Sequence, residues 1–157
     1  MSKDREFEEF AVARTPQLYR SAYLLCGDRH GAEDLVQETL AKVYLKWGRR
    51  IDNPAAYAQT TLARTFISQR RRRSNHELPY ADLPDAVVDD PAAATDLRLT
   101  LQDVLAGLPP LDRAVLVLRY SDGLPVAEVA DRLGLSQGAV KNRSKRALER
   151  ARERTTR

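Results

Sequence analysis

Val36, Leu40, Val43 and Trp47 fall four, three and four residues apart, and Leu97, Leu101, Val104 and Leu108 repeat the same spacing later in the chain. That rhythm returns a side chain to one helix face at every turn. No stretch alternates apolar and polar residues as a strand would, so the expected fold class is all-α. Between the two periodic blocks lies "SNHELPYADLPDAVVDDPAAATD", which holds Pro79, Pro84 and Pro91 and sustains no pattern; this is linker composition. With 157 residues and 43% hydrophobic content, the chain can fill one ordinary core or two small ones. The break favours two small helical domains, residues 1–73 and 96–157, joined by a linker at 74–95, with no internal repeat relating them.

The charges divide along the same lines. Residues 1–73 carry 14 Lys/Arg against 9 Asp/Glu (+5), residues 74–95 none against 5 (−5), and residues 96–157 carry 12 against 8 (+4). Two basic blocks flanking an acidic connector suggest two surfaces for a polyanion. Cys26 is the single cysteine and the histidines are His30 and His76, so neither an intramolecular disulfide nor a recurring metal-ligand spacing is available. No Gly-rich phosphate loop and no Cys/His pairing suited to nucleophilic catalysis occurs, so no cofactor and no enzyme activity are expected. The amino terminus, "MSKDREFEEF", is too charged for a signal peptide, and no apolar run approaches the roughly 18 residues of a membrane span. A cytoplasmic protein without membrane insertion is expected.

In the first block a helix is expected from about Asp4 to Cys26, broken by "GDRHG", with a second starting near Ala32. On the second, Asp34, Gln37 and Glu38 share a polar face separate from the Val36, Leu40, Val43 and Trp47 stripe: one face packs, the other is offered outward. A third helix begins after "RRIDNP", with Pro54 at its first position, and runs through Tyr57, Leu62 and Phe66 into the arginine run Arg70 to Arg73. Four successive arginines point around a helix end in several directions, an arrangement suited to phosphates and poorly suited to discriminating bases.

The most informative stretch is "GLPVAEVADRLGLSQGAVKNRSKRALERARER". A helix with Val126, Val129, Ala130 and Leu133 inward stops at Gly134, and Ser136 is placed to cap a second helix whose buried stripe is Val140, Ala147 and Ala151. Small residues where two helices meet around a short turn describe a helix-turn-helix. In that motif the second helix enters the major groove, and Lys141, Asn142, Lys145 and Arg146 lie opposite the buried stripe, with Arg143 extending the charge.

With these residues in hand, the chain resembles the extracytoplasmic-function group of bacterial RNA polymerase sigma factors over about residues 5–153. The resemblance is carried by "GDRHGAEDLVQETLAKVYLKW" and "NPAAYAQTTLARTFISQRRRR", similar to region 2 of that family, and by "LPPLDRAVLVLRYSDGLPVAEVADRLGLSQGAVKNRSKRALERAR", similar to region 4. It implies that Asp34, Gln37 and Glu38 contact the clamp helices of the largest subunit of core RNA polymerase. It implies further that Asp52 and Asn53, in the pocket loop "GRRIDN", together with Tyr57, Arg64, Arg70 and Arg71, meet the minus 10 element of promoter DNA. There a base is flipped from the stack into the protein, at a cost of a few kcal/mol. Lys141, Asn142, Arg143, Lys145 and Arg146 would meet the minus 35 element. An anti-sigma factor is a further partner that the resemblance implies.

Some positions depart from the family's usual pattern. Tyr57 stands where the family often has Trp, Arg64 where it has Asn, Ser68 where it has Asp, and Pro125 where a capping Ser is usual. The alternative left open by the residues themselves is a stand-alone helix-turn-helix regulator with a helical sensor or dimerisation domain, which would bind its operator without polymerase.

Overall fold

The computed structural model describes residues 2–48, 51–76 and 102–155, and among them there are helices and no strands. Most of the expected acidic linker, with Leu97, Leu101, Arg49 and Arg50, lies outside the described residues.

The first helix, α1 (Lys3–Cys26), is capped by Ser2, whose Oγ accepts from Arg5 N at 3.2 Å. Asp4 and Glu6 occupy its first turn, where the positive end of the helix dipole favours them. It ends at Gly27, which takes φ +85° and donates its N–H to Tyr23 O at 2.8 Å. That left-handed conformation is the reason for glycine there. The next helix, α2 (Arg29–Trp47), starts earlier than the sequence pattern suggests, because Asp28 caps it, its Oδ1 accepting from Gly31 N at 2.6 Å. The segment "GDRHG" therefore breaks the chain for only two residues: Gly27 closes one helix and Asp28 opens the other.

The third helix, α3 (Pro54–His76), begins where Pro54 foretold and continues past the arginines to His76, three residues beyond the expected boundary at 73. Asn53 caps it, Oδ1 accepting from Ala56 N at 3.1 Å. Leu18, Leu25, Leu35, Val43, Leu62 and Phe66 form the core of these three helices, each almost wholly buried. Phe7 meets Tyr44 and Trp47 edge-on at 5.1 and 5.3 Å, tying the start of α1 to the end of α2.

In the second half, a helix whose described part is 102–106, α4, precedes α5 (Pro110–Leu116), which runs into a π-helical turn at Val117–Ser121. Then come α6 (Val126–Leu133) and α7 (Gln137–Thr155). Pro125 gives α6 no side-chain cap, and the helix forms regardless. Gly134, at φ +69°, ends α6, and Ser136 Oγ accepts from Ala139 N at 3.0 Å to open α7. Ala114, Val115, Leu118, Val129 and Val140 from this half join the same buried cluster as Leu25, Leu62 and Phe66. The two blocks read from the sequence are thus packed against one another.

Candidate nucleic-acid and polymerase interfaces

Three surfaces carry the residues singled out by the sequence. On α2, Asp34 and Gln37 are exposed, with Asp34 facing His30 at 3.6 Å across one turn. Glu38 is half-buried and more committed: it accepts from Gln69 Nε2 at 2.8 Å and pairs with Lys42 at 3.4 Å. The polar strip therefore has two exposed members and a third tied to α3.

The second surface is the start and outer face of α3. Asp52 and Asn53 are exposed, Asn53 giving its side-chain oxygen to the helix cap, and Tyr57 is half-buried. Arg64 is exposed, yet its Nε donates to Arg132 O at 2.8 Å, an acceptor from the other half of the chain. Arg70 sits over the Phe66 ring at 5.1 Å, while Arg71 is exposed.

The third surface is α7. Lys141, Asn142, Lys145 and Arg146 are all exposed, and the stripe beneath them, Val140, Ser144 and Ala147, is buried. Ser136 and Gly134 fix the angle at which these four leave the α6–α7 turn. Arg143 behaves differently from its neighbours. Its Nη1 lies 2.6 Å from Asp112 Oδ1, and Asp112 is only 4% exposed. A charge-assisted bond to a buried carboxylate anchors α7 on α5. The guanidinium is spent inward.

Sequence reasoning did not find Arg113. This arginine is 6% exposed, and its guanidinium donates to three backbone carbonyls: Leu25 O at 2.7 Å, Ala106 O at 3.3 Å and Leu108 O at 3.0 Å. It also stacks over Phe66 at 5.5 Å. Burial lowers its pKa to about 10, and the carbonyl dipoles replace the water it has lost. A single arginine within "LDRAVLV" carries no signal that its partners are main-chain oxygens from another helix.

A helix-turn-helix with an outward cationic face, packed against a second helical unit with its own basic and acidic strips, defines a DNA-binding transcription protein. Comparison with known proteins gives the family. The Sigma-70 region 2 family matches residues 11–76 and the Sigma-70, region 4 family matches residues 104–153. The RNA polymerase sigma-E factor of Streptomyces avermitilis is 39% identical over 150 residues, covering 94% of this chain and 84% of that protein. That of Streptomyces coelicolor is 37% identical over 155 residues, covering 98% and 88%. Among solved structures, the sigma factor RpoE of Bartonella quintana, in complex with the anti-sigma factor NepR, matches with a TM-score of 0.75 at 27% identity, covering 95% of this chain and 96% of that one. The Mycobacterium tuberculosis extracytoplasmic function sigma factor SigJ matches with a TM-score of 0.63 at 29% identity, covering 91% of this chain and 52% of that one.

The chain belongs to the sigma-70 family, in its extracytoplasmic-function group. Sigma factors are initiation factors and not enzymes, in keeping with the expectation from composition. Both halves match sigma regions, which does not favour the stand-alone regulator. Among the described residues no helix is long and apolar enough to cross a membrane.

Proposed function

We propose that this sigma factor binds core RNA polymerase through the exposed strip of α2 and directs initiation at promoters read by α3 and α7. The observation that carries the reading is the row Lys141, Asn142, Lys145 and Arg146, exposed together near the amino-terminal end of a capped helix. Asn, Lys and Arg bond base edges in the major groove, so this row is assigned to the minus 35 element. Arg143 is assigned to holding α7 in place, because Asp112 already occupies it.

Tyr57, Arg64, Arg70 and Arg71 are assigned to the minus 10 element, with the loop at Asp52 and Asn53 beside them. Tyr57 offers a ring for stacking an unpaired base, and the arginines offer charge for the separated strand. Asp34, Gln37 and Glu38 are assigned to the clamp helices of the largest polymerase subunit. Residues 1–73 and 96–157 then act as two modules joined by the acidic segment 74–95. Each contact becomes intramolecular once the other has formed, so two modest interfaces give useful avidity. The protein works in the cytoplasm, where polymerase and promoters are. An anti-sigma factor is a natural regulator, supported by the likeness to the sigma factor solved with NepR.

A gel-shift on a cognate promoter, with and without core polymerase, tests the reading. Strong binding that needs core supports it. Salt-sensitive binding of equal strength without core would return the chain to the stand-alone regulators.

A further inference from the structure

Polymerase and the minus 10 strand are assigned to neighbouring helices, so the roll of one helix against the other decides whether both partners can be met at once. Leu35 and Val43 of α2 are buried in one cluster with Leu62 and Phe66 of α3. Apolar burial has no direction, so it fixes the spacing of two helices better than their roll. On a helix about 5–6 Å in radius, a roll of about 10° moves a side-chain tip by about 1 Å. A site that must hold a base in place tolerates little more.

Beside that apolar contact, polar side chains close a ring between the two helices. Gln69 Nε2 of α3 donates to Glu38 Oε1 at 2.8 Å, Lys42 Nζ lies 3.4 Å from Glu38 Oε2, and Lys42 Nζ also donates to Thr65 Oγ1 at 3.1 Å. Glu38 and Lys42 stand one turn apart on α2, as Thr65 and Gln69 do on α3. Each helix thus supplies a pair of side chains at successive turns, and directional bonds at both heights resist a roll that apolar contact would allow. Thr65 is 2% exposed, which seats one corner of the ring in the core. Glu38 and Lys42 keep 38% and 45% of their side chains in solvent. Ion pairs that exposed add little stability; what these bonds contribute is orientation.

We propose that Gln69 and Lys42 are positioning residues for minus 10 recognition, locking the roll of α3 to the polymerase-facing strip of α2 through Glu38 and Thr65. Tyr57, Arg64 and Arg71 recur every seven residues and so share a face of α3, about 100° round the helix from Thr65. Glu38 joins the two surfaces: it follows Asp34 by one turn and Gln37 by one residue, and both of its oxygens meet the ring. Seating α2 on polymerase then sets the roll at which α3 presents that face. Gln69 and Lys42 act without touching DNA. This rests on the assignments of α2 and α3 made above.

The test uses holoenzyme reconstituted from core polymerase and the full chain, on a promoter selected by wild type. The variants are Gln69→Leu, Lys42→Met, their combination, and Lys42→Arg. Fluorescence anisotropy reads core affinity, permanganate reactivity of unpaired thymines reads opening of the minus 10 element, and circular dichroism checks that helix content is kept. Gln69→Leu and Lys42→Met should each lower opening roughly tenfold, with core affinity and minus 35 discrimination held within about twofold of wild type. The combination should lose little more than either alone, because the residues act as one ring. Lys42→Arg keeps the charge and the donors, and should open the promoter as wild type does. Gln69→Leu removes no charge, so the slope of promoter binding against salt should not change, which separates positioning from phosphate contact. Unchanged opening in folded Gln69→Leu, a loss shared equally by core affinity, or a changed salt slope would overturn the proposal. If Lys42→Met did not fold, Gln69→Leu and Lys42→Arg would decide between the same outcomes. Arg64→Ala combined with Arg71→Ala separates the layers. Opening weakened by that pair and untouched by Gln69→Leu rejects only the positioning role, whereas opening untouched by both rejects the reading of α3 beneath it.

Discussion

Replacing Arg143 by alanine separates anchoring from DNA contact. In the native protein Arg143 Nη1 lies 2.6 Å from Asp112 Oδ1, with 6% of the Asp112 side chain and 30% of the Arg143 side chain exposed. Hydrogen bonds to charged groups contribute about 1.5–3 kcal/mol, and removing one partner strands the other. A fully buried pair would lose about 3–5 kcal/mol, but solvent reaches Arg143 and screens part of this. About 2 kcal/mol is therefore expected for Arg143→Ala, which in a chain of this size lowers Tm by about 4–8 °C. Urea unfolding followed by far-UV circular dichroism measures it, and a double-mutant cycle with Asp112→Asn isolates the pair. Asn142→Ala, on the exposed row, should leave the midpoint within about 0.5 kcal/mol of wild type while weakening minus 35 recognition. An Arg143→Ala variant that unfolds at the wild-type urea concentration yet weakens minus 35 binding as much as Asn142→Ala does would refute the anchoring role of Arg143.

Three further outcomes are expected. Burial raises the Asp122 carboxyl pKa against the opposing pull of Ser21, Arg132 and Arg20, so the native state holds this proton to higher pH than the unfolded chain does. Its charged form therefore disfavours the fold above that raised pKa, and the penalty fades as pH falls through it; Asp122→Asn should raise the urea midpoint at neutral pH and lose its advantage in acid. Burial also pushes the Cys26 thiol from 9.0 to about 11, so at mildly alkaline pH iodoacetamide should alkylate the native protein about 100-fold more slowly than the urea-unfolded chain. Asp34→Lys combined with Gln37→Ala, both at exposed positions, should abolish co-purification with core polymerase while changing the urea midpoint by less than about 0.5 kcal/mol.

The helices and the helix-turn-helix were legible because their signals are local. Pro54 starts α3, Gly134 stops α6 and Ser136 opens α7, and each acts on its own neighbours. The start of α2 was misplaced because an Asp two residues after a helix can be read as loop or cap, and only Gly31 N at 2.6 Å decides for the cap. Charge was legible and its direction was not. Arg143 and Arg146 look alike in the sequence, but one meets a buried Asp112 supplied by α5 and the other faces solvent. The closure of the two halves left no mark at all. Of the hydrogen bonds between the halves, those of Arg64, Arg113 and Arg132 reach backbone carbonyls, and every residue has a carbonyl.

Run-off transcription by holoenzyme reconstituted from core polymerase and this chain tests the central claim, using a genomic fragment library and then the selected promoter with altered minus 35 sequences. The account predicts promoter-selective transcripts with wild type. With Lys141→Ala and Asn142→Ala combined, it predicts loss of discrimination between intact and altered minus 35 elements while core binding is retained. Absence of selective transcripts from wild-type holoenzyme, or equal loss of core binding and minus 35 discrimination in the variant, would contradict it.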